Sequence, residues 1–341
     1  MAVIIPYYNG SKWIERAIKS VVAQTIQPHE FIIVNDGSKP EERAALDPLR
    51  DHYGFRILDK ENGGQGSARN AGIASSKSEY ISLLDQDDFY LLTHIEDLIE
   101  TIPENDYRLG YVYADLCEAD GDGNIVDSNI LRGLPAPHPK QGHISGLLRG
   151  DMFVLPSASL IKRQAFEQVG GFDEQFTGYE DDDLFLRMFR AGFTNYFLDK
   201  PVTVWCIHTG STSRSIRMSR SRFRYFQKMV EEFPDNDDRA MFYFRLCLMP
   251  RFEPCFIADI IKNKTLNKAE RQEVNNILRN YSQIVRGHNN VSLLSKNRVR
   301  AITFLLTTFP DPVARIFWSF YRLPVLRTIA RRILVRRPAV A

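Results

Sequence analysis

Two acids separated by one residue follow an apolar segment of the sequence. Asp85 and Asp87 come directly after the strand-like run at residues 80–84, with Gln86 between them. Carboxylate oxygens are hard ligands of the kind that Mg²⁺ and Mn²⁺ prefer. An Asp-x-Asp triplet alone is weak evidence because acidic turns are common, but a position after a buried strand favours a metal site. The sequence therefore predicts that Asp87 and Asp85 hold a divalent metal.

A glycine-rich segment at residues 62–70 leads into a predicted helix. Glycine lets the backbone approach a phosphate, and the positive end of the helix dipole attracts the same group. The segment is not a dinucleotide fingerprint, because Arg69 replaces the third glycine of GxGxxG, and it lacks the Gly-Lys-Ser/Thr end of a P-loop. Phosphate binding and a plain glycine-rich turn into an ordinary helix both remain open.

Residues 180–183 are four consecutive acids at the start of another predicted helix. The helix dipole favours acids there, and Asp183 can form an i,i+4 ion pair, so some of them are structural. Asp181 shares a helical face with Leu184 and Phe185, which places its carboxylate at the edge of the buried side, where a base facing a cleft would lie. We expect the dipole to keep Asp181 ionised, as proton abstraction from a hydroxyl requires.

A histidine and an arginine flank a polar loop farther along the chain. His208 follows the strand-like run at residues 202–207, and Arg214 ends the loop at residues 209–214. A lone histidine is more often structural than a ligand, so both roles stay open for His208. Arg214 has the charge to hold a phosphate.

The segment from Asp120 to Asn124 looks like the start of a calcium loop. Ile125 occupies the position that needs glycine, and no glutamate closes the loop. Asp-Gly between two short runs instead predicts a hairpin turn.

These polar residues are separated by an alternation of strand-like and helical patterns, which predicts an α/β protein. The strand-like runs are residues 3–6, 30–35, 55–58 and 80–84, and the helical stretches between them are residues 12–23, 41–50 and 67–75. Near-continuous apolar strands are typical of a parallel sheet covered on both faces. Ligands bind beyond the carboxyl ends of such strands, which is where the polar runs at residues 7–9, 35–38 and 85–88 stand.

Beyond residue 215 the pattern becomes helical, and it ends in a basic, aromatic tail. From Lys296 onward there are ten Lys or Arg against one acid, Asp311, with six aromatic residues between them. Such a segment suits the surface of an anionic membrane. A charged outer face on a packed helix explains it equally well. Nucleic-acid binding is disfavoured because no recognised module accompanies the charge.

The composition favours a cytoplasmic α/β protein of ordinary charge. The 341 residues have a formal net charge of +2, so no global field attracts nucleic acid. Four scattered cysteines form no ligand spacing, and a strand-like run starts directly after Met1, which leaves no room for a signal peptide. No apolar run is long enough for a membrane span. We expect reduced thiols and a cytoplasmic location, peripheral on the inner face of the membrane if the tail binds lipid.

Five of these stretches together resemble the family 2 glycosyltransferases of the GT-A fold. They are residues 6–9, 35–38, 68–70 and 85–88 and the Glu180-Asp181 helix start. Their order and spacing match the family as well, over roughly residues 2–215. The resemblance implies a GT-A domain at residues 1–215, with a Rossmann-like, mostly parallel sheet flanked by helices. It says little about the rest of the chain, where the helical pattern predicts a C-terminal region at residues 216–341.

The resemblance also implies a reaction: inverting transfer, in one displacement, from a nucleoside-diphosphate sugar to an acceptor hydroxyl. A UDP-sugar donor, a glycan or lipid-linked acceptor, bacterial surface polysaccharide assembly and Mn²⁺ or Mg²⁺ as cofactor are what the family suggests. Carried over by position, Tyr8 and Asp36 contact the base, Arg69 and Asp85 the nucleotide, Asp87 and more loosely His208 the metal, and Asp181 is the base, with Glu180 beside it. Further candidates for donor binding are Pro6, Asn9, Asn62, Gly64, Gln86 and Arg214.

Two departures and two alternatives accompany this hypothesis. Gln86 within the triplet and the third acid Asp182 mean that the metal ligand and the base could each be displaced by one residue. A non-catalytic protein that binds nucleotide sugars would have the same fold. A sugar nucleotidyltransferase would need a glycine-rich loop after the first strand, where Tyr7-Tyr8-Asn9 stands instead.

Overall fold

The computed structural model describes residues 1–134, 138, 143–208, 215–262 and 266–309. The strands are β1 Ala2–Tyr7, β2 Glu30–Asp36, β3 Arg56–Lys60, β4 Tyr80–Leu83, β5 Phe89–Tyr90, β6 Leu109–Ala119, β7 Ile125–Asp127, β8 Ser159–Lys162 and β9 Thr194–Cys206. The helices are α1 Ile14–Val22, α2 Pro40–Ala44, α3 Leu46–Tyr53, α4 Gln65–Ala74, α5 His94–Glu100, α6 Ile144–Arg149, α7 Arg163–Gln168, α8 Glu180–Arg190, α9 Ile216–Glu232, α10 Met249–Lys262, α11 Lys268–Gly287 and α12 Leu293–Thr308. A short 3₁₀-helix spans Pro156–Ala158 and a π-helix spans Phe244–Leu248.

The described strands form one mixed sheet in the order β3-β2-β1-β4-β8-β6-β9-β5, and β7 pairs with β6. β1 lies parallel to both β2 and β4, and β2 lies parallel to β3. β8 then runs antiparallel between β4 and β6. The predicted fold class is confirmed, and the parallel half of the sheet is the half that sequence patterning identified.

The parallel half is held together by apolar side chains on both faces. All six residues of β1 are buried, and α1 buries Ile14, Ala17, Ile18 and Val21 against it. On the other face α4 approaches the sheet closely through Gly72, where a Cβ would lie 2.5 Å from the Ile4 Cγ2 atom. Helices on both faces leave the carboxyl ends of the strands as the open edge of this part of the fold.

One predicted helix is two helices in the structure. The pattern at residues 41–50 predicted a single element, whereas α2 ends at Ala44 and α3 begins at Leu46. Pro48 explains the break, because it has no N–H to donate to the carbonyl of Ala44 and its ring clashes there.

The predicted hairpin at residues 120–124 is confirmed. β6 and β7 pair antiparallel on either side of it. One carboxylate oxygen of Asp120 accepts hydrogen bonds from the backbone amides of Asp122 and Asn124, at 3.0 and 2.9 Å. The acid therefore closes a turn.

The chain divides into two compact units. The first comprises Met1–Leu147 and Asp151–Ser221, and the second comprises Leu148–Gly150 and the described residues from Arg222 onward. In the second unit, Phe226, Phe252, Phe256 and Tyr281 pack ring against ring, with centroids 5.1–6.2 Å apart. No described helix is long and apolar enough to cross a membrane.

All four cysteines are free thiols. Cys117, Cys206 and Cys247 are buried and Cys255 is half-buried. Most of the basic tail, residues 310–341, lies outside the described residues, as does the loop that contains Arg214.

Candidate active site

A cleft of about 360 Å³ opens at the carboxyl ends of the parallel strands. Its wall is formed by the ends of β1 and β2, the start of α4, the loop between β4 and β5, and the residues that follow β9. The polar runs that the sequence placed at three strand ends therefore meet in one place.

The loop after β2 is bound to the glycine-rich segment through Asp36. One oxygen of the Asp36 carboxylate accepts hydrogen bonds from Lys60 Nζ at 2.7 Å and from the Gly63 amide at 2.9 Å. The other accepts the Gly64 amide at 2.8 Å. Asn62 adds a bond from its side-chain nitrogen to the Asp36 carbonyl at 2.8 Å. The glycine-rich segment is thus fixed before any ligand binds.

The loop after β1 is tied to its neighbours on both sides. Gln86 accepts a hydrogen bond from the Tyr8 amide at 2.9 Å and donates one to the Tyr8 carbonyl at 3.3 Å. Gly10 makes room for this amide, because a Cβ at Gly10 would lie 2.3 Å from Gln86 Oε1. On the other side, Asn9 Oδ1 accepts the Lys39 amide at 3.0 Å. The side chain of Tyr8 itself is 43% exposed and lines the cleft.

Arg69 lies behind the cleft wall and joins two carboxylates. Its guanidinium is 2% exposed and donates to Asp85 at 2.7 Å and to Glu180 at 3.0 Å. Gln65 donates to the same Asp85 oxygen at 2.7 Å. Burial raises the pKa of Glu180, and the positive charge of Arg69 opposes that rise. A buried guanidinium therefore connects the acidic strand end to the first turn of α8.

Asp87 and His208 are the pair best placed to hold a metal. Asp87 Oδ2 and His208 Nε2 lie 2.8 Å apart, and the His208 ring stacks on Trp13 with centroids 4.5 Å apart. Burial, with the nearby Asp85 carboxylate, raises the pKa of Asp87.

The donor atoms present suit a hard or borderline cation shared with a substrate. Neighbouring ligands about 2.1 Å from an octahedral ion lie about 3 Å from each other, close to the separation of Asp87 and His208. Within the described ranges no three acidic, histidine or cysteine side chains form a complete metal cage. Protein sites for Mg²⁺ commonly supply one or two carboxylates and leave the remaining positions to water and substrate phosphates. The residues therefore fit a divalent metal that is held jointly with a phosphate ligand.

Asp88, the next acid in the run, is committed to the fold. It is buried, and its carboxylate accepts hydrogen bonds from the Cys206 amide at 2.9 Å and from Ser157 Oγ at 3.2 Å. Burial and the neighbouring Asp87 raise its pKa well above the usual range. Asp88 thus fastens the acidic loop to the end of β9.

Three of the four acids at the start of α8 have structural partners. Glu180 binds Arg69, Asp182 accepts the Met152 amide at 2.9 Å, and Asp183 pairs with Arg187 at 2.8 Å. Asp181 is half-buried and accepts a hydrogen bond from the adjacent amide of Asp182 at 2.8 Å.

Two opposing effects act on the charge of the Asp181 carboxylate. We expect the helix dipole to favour the ionised form, whereas burial, with the charges of Glu180 and Asp182, raises its pKa well above the usual range. A dipole contribution of about 1 kcal/mol is smaller than the cost of burying a carboxylate beside other carboxylates. A raised pKa makes Asp181 a stronger base wherever it is deprotonated.

Most of the predicted donor-binding and metal residues line the cleft. They are Pro6, Tyr8, Asn9, Asp36, Asn62, Gly64, Asp85, Gln86, Asp87 and His208. Arg69, Glu180 and Asp181 do not line it, although the first two are linked to it through Asp85. Arg214 lies outside the described residues.

Several residues that were not named as site candidates also line the cleft. They are Tyr7, Trp13, Gln65, Ala68, Thr177 and Arg217. Tyr7 lies in the polar run at residues 7–9, and Gln65 and Ala68 lie in the glycine-rich segment, so these three could have been included from their positions. Arg217 is exposed on α9 and forms no ion pair with another described residue, so its charge is free to meet a ligand.

A sheet-edge cleft with a glycine-rich helix start and clustered acids is typical of α/β proteins that bind nucleotides with a metal. The family model for glycosyl transferase family 2 matches residues 2–170, and that for the N-terminal domain of galactosyltransferase matches residues 156–209. An uncharacterized glycosyltransferase of Rickettsia conorii is 34% identical over 200 residues, which cover 56% of this chain and 31% of that relative. The chain therefore spans about a third of that relative's length. The chain belongs to glycosyltransferase family 2.

Two solved structures share the fold. S. aureus TarS 1–349 in complex with UDP-GlcNAc has a TM-score of 0.60 at 15% identity, over 94% of this chain and 91% of that chain. The mannosyltransferase PcManGT from Pyrobaculum calidifontis, in complex with GDP-Man and Mn²⁺, has a TM-score of 0.54 at 15% identity, over 98% of this chain and 87% of that chain. At this identity the likeness is one of fold.

Proposed function

We propose that the protein is an inverting glycosyltransferase that moves a sugar from a nucleoside-diphosphate sugar to an acceptor hydroxyl. The observation that carries the proposal is the ion-paired chain from Asp85 through Arg69 to Glu180. It fixes the acidic strand end, which lines the cleft, to the first turn of α8, which contains Asp181. A donor site and a base on separate elements are what a single displacement needs, because the acceptor must approach the side of the anomeric carbon opposite the leaving group.

The residues on the donor side of the cleft bind different parts of the donor. The cleft wall at Tyr8, Asp36 and the glycine-rich segment binds the nucleotide, and Arg217 pairs with the diphosphate. Asp87 and His208, with Asp85 beside them, hold the metal. Mn²⁺ or Mg²⁺, when bound, offsets the negative charge that develops on the leaving diphosphate.

On the acceptor side Asp181 is the general base. Its carboxylate takes the hydroxyl proton as the hydroxyl oxygen forms a bond to the anomeric carbon and the bond from that carbon to the diphosphate oxygen breaks. Glu180 and Asp182 stay in place through Arg69 and the Met152 amide. Burial, together with the charges of these two acids, raises the pKa of Asp181 and so strengthens it as a base.

The donor class we propose is a UDP-sugar, and the acceptor class is a glycan or a lipid-linked glycan of bacterial surface polysaccharide. The TarS complex with UDP-GlcNAc and the mannosyltransferase complex with GDP-Man and Mn²⁺ support a nucleoside-diphosphate sugar and a divalent metal.

We also propose that the protein works at the inner face of the membrane. The basic, aromatic residues from Lys296 onward support this. Within α12, the apolar side chains of Leu293 and Phe304 are 74% and 59% exposed, and Phe309 just beyond it is 40% exposed. Exposed aromatic and apolar residues beside arginines suit the interface between lipid head groups and acyl chains.

The test is release of nucleotide from a panel of UDP-, GDP- and dTDP-sugars, with an acceptor extract and with Mn²⁺, Mg²⁺ or a chelator. Wild type is compared with Asp87→Ala, Asp181→Asn and a control, Asp51→Asn, whose side chain is 69% exposed on α3. We expect metal-dependent release from one donor class, lost in the first two variants and kept in the control. Asp181→Asn should still bind the donor.

Two results would contradict the proposal in different ways. Donor binding without release in the wild type, under all acceptors and metals, would favour the non-catalytic binding protein. Near-normal turnover by Asp181→Asn would remove the proposed base and leave the donor site intact.

A further inference from the structure

Two side chains at the start of α1 contact the residues that we assign to the metal. Trp13, which precedes the helix, stacks on the His208 ring with an angle of 16° between the planes. Arg16, one turn later, donates from Nη2 to the Asp87 carbonyl at 2.7 Å and to Cys206 Sγ at 3.2 Å. One helical turn therefore contacts both the acidic loop after β4 and the end of β9.

The hairpin between β6 and β7 closes the opposite side of this arrangement. A Cβ at Gly121 would lie 3.1 Å from His208 Cβ, and one at Gly123 would lie 2.5 Å from Arg16 Nη1. Gly123 has a φ of +91°, a conformation that favours glycine. The hairpin thus leaves room for Arg16 at one glycine and packs against His208 at the other.

Arg16 contacts Asp87 in a way that leaves its carboxylate available. The guanidinium bonds to the main-chain carbonyl of Asp87, while the Asp87 side chain lies against His208. The Arg16 head group also lies 5.2 Å from the centre of the Phe89 ring, which restricts where it can point. Arg16 therefore sets where the Asp87 backbone lies without competing for its oxygens.

We propose that Trp13 and Arg16 are positioning residues for a divalent-metal site made by Asp87 and His208. The inference rests on the proposed function, because it assumes that these two side chains bind the metal. Asp87 and His208 belong to segments far apart in sequence, and Arg16 bonds to both segments while Trp13 fixes the plane of the imidazole. Groups that orient metal ligands from outside commonly change metal affinity about 10–100-fold when they are removed.

The test measures metal affinity directly. Full-length wild type, Trp13→Leu, Trp13→Phe, Arg16→Met and the control Lys19→Met are titrated with Mn²⁺ in the presence of UDP, and free Mn²⁺ is read by electron paramagnetic resonance. UDP affinity in chelator and thermal midpoint are measured for each variant. Lys19 is on the same helix, has a side chain that is 60% exposed, and pairs with Glu15.

We expect Trp13→Leu and Arg16→Met to weaken Mn²⁺ binding at least about tenfold more than they weaken metal-free UDP binding. Trp13→Phe keeps a ring against the imidazole and should restore most of the Mn²⁺ affinity. Lys19→Met should bind Mn²⁺ as the wild type does, since it removes a charge without touching the site.

Three outcomes overturn the inference and separate it from the proposed function. If Trp13→Leu and Arg16→Met bind Mn²⁺ as tightly as the wild type, these two residues do not position the metal ligands, and the proposed metal site itself is unaffected. If Mn²⁺ affinity, metal-free UDP affinity and thermal midpoint all fall together, the two residues support the fold in general. If the wild type with UDP binds no Mn²⁺, the metal role in the proposed function fails as well.

Discussion

Arg69 is a buried charged residue whose stability depends on its ion-pair partners. Its guanidinium is almost fully buried, bonds to Asp85 and Glu180, and lies 5.3 Å from the centre of the Phe172 ring. We predict that Arg69→Met lowers the free energy of unfolding by about 3–5 kcal/mol, because it leaves the buried Glu180 carboxylate and the partly exposed Asp85 carboxylate without their counter-charge. Equilibrium urea unfolding measures this.

The double variant Arg69→Met, Glu180→Gln provides the control for charge. It removes one of the uncompensated carboxylates and should recover part of the lost stability, whereas Arg50→Met, at a half-exposed surface ion pair, should cost less than about 1 kcal/mol. Equal losses for Arg69→Met and Arg50→Met would show that the buried ion pairs contribute little.

The pKa of Asp181 predicts the acid limb of the rate profile. A general base must be deprotonated, so turnover falls as the pH drops through its pKa. Because burial and the neighbouring acids raise that pKa, kcat should begin to fall well above pH 4, the usual region for an aspartate. The measurement is kcat against pH, with activity re-assayed at neutral pH after each incubation. A rate that stays constant down to about pH 4 would exclude Asp181 as the base.

The sequence predicted most of the residues that line the cleft, but not the hydrogen bonds and ion pairs that these residues form. Polar residues at strand ends could be predicted to meet, since the ends of parallel strands share one edge of the sheet. The positions of Trp13 and Arg217 in the cleft could not be predicted, because they depend on the direction of α1 and α9. The burial of Arg69 could not be predicted either, because it depends on two carboxylates from distant segments of the chain.

The close approach of α4 to the sheet gives a prediction for a whole element. We expect Gly72→Ala to lower the free energy of unfolding by about 1–3 kcal/mol, since the added methyl would meet Ile4 Cγ2 at 2.5 Å and Val34 Cγ2 at 2.9 Å. Gly146→Ala in α6 is a matched control, because nothing lies within 4 Å of its Cβ position. That variant should be neutral or more stable by about 0.5–1 kcal/mol. Equilibrium urea unfolding measures both variants. Similar unfolding midpoints for Gly72→Ala and Gly146→Ala would mean that α4 shifts away from the sheet without a loss of stability.

Elements were predictable where local pattern and tertiary burial agree. β1, β2 and β4 are short, mostly apolar and largely buried runs, and residues 30–36 and 80–83 were located almost to the residue. β6, which spans eleven residues, was predicted only as a short run before the turn at residues 120–124, because Gly110 and the buried Asp115 interrupt its apolar pattern. Asp115 is tolerated there because its carboxylate accepts the amides of Leu116 and Leu131.

For the whole molecule, the basic tail predicts salt-sensitive binding to anionic vesicles. A chain that ends at Phe309 keeps α12 and loses seven arginines and one acid, Asp311. Each basic residue near an anionic surface contributes about 1 kcal/mol, and salt screens the attraction. We expect full-length protein to sediment with phosphatidylserine vesicles at low salt, and the shortened chain to sediment much less.

Vesicles of phosphatidylcholine alone are the control for apolar adsorption. Equal sedimentation of both chains with anionic vesicles would place any membrane affinity elsewhere, for example in α12.

The division of the chain into two units at about residue 221 is a property of contacts across the whole fold, so composition alone could only approximate it.

The bond between Gln86 and the Tyr8 backbone has a consequence for engineering. Its amide occupies the space above Gly10, so the loops after β1 and β4 are complementary surfaces. A designer who transplants the β4 loop from a relative to change sugar preference would place a foreign side chain at position 86 against an unchanged residue 10. Positions 10 and 86 therefore need to be exchanged together, and chimaeras that separate them should disturb the bonds that hold this edge of the cleft.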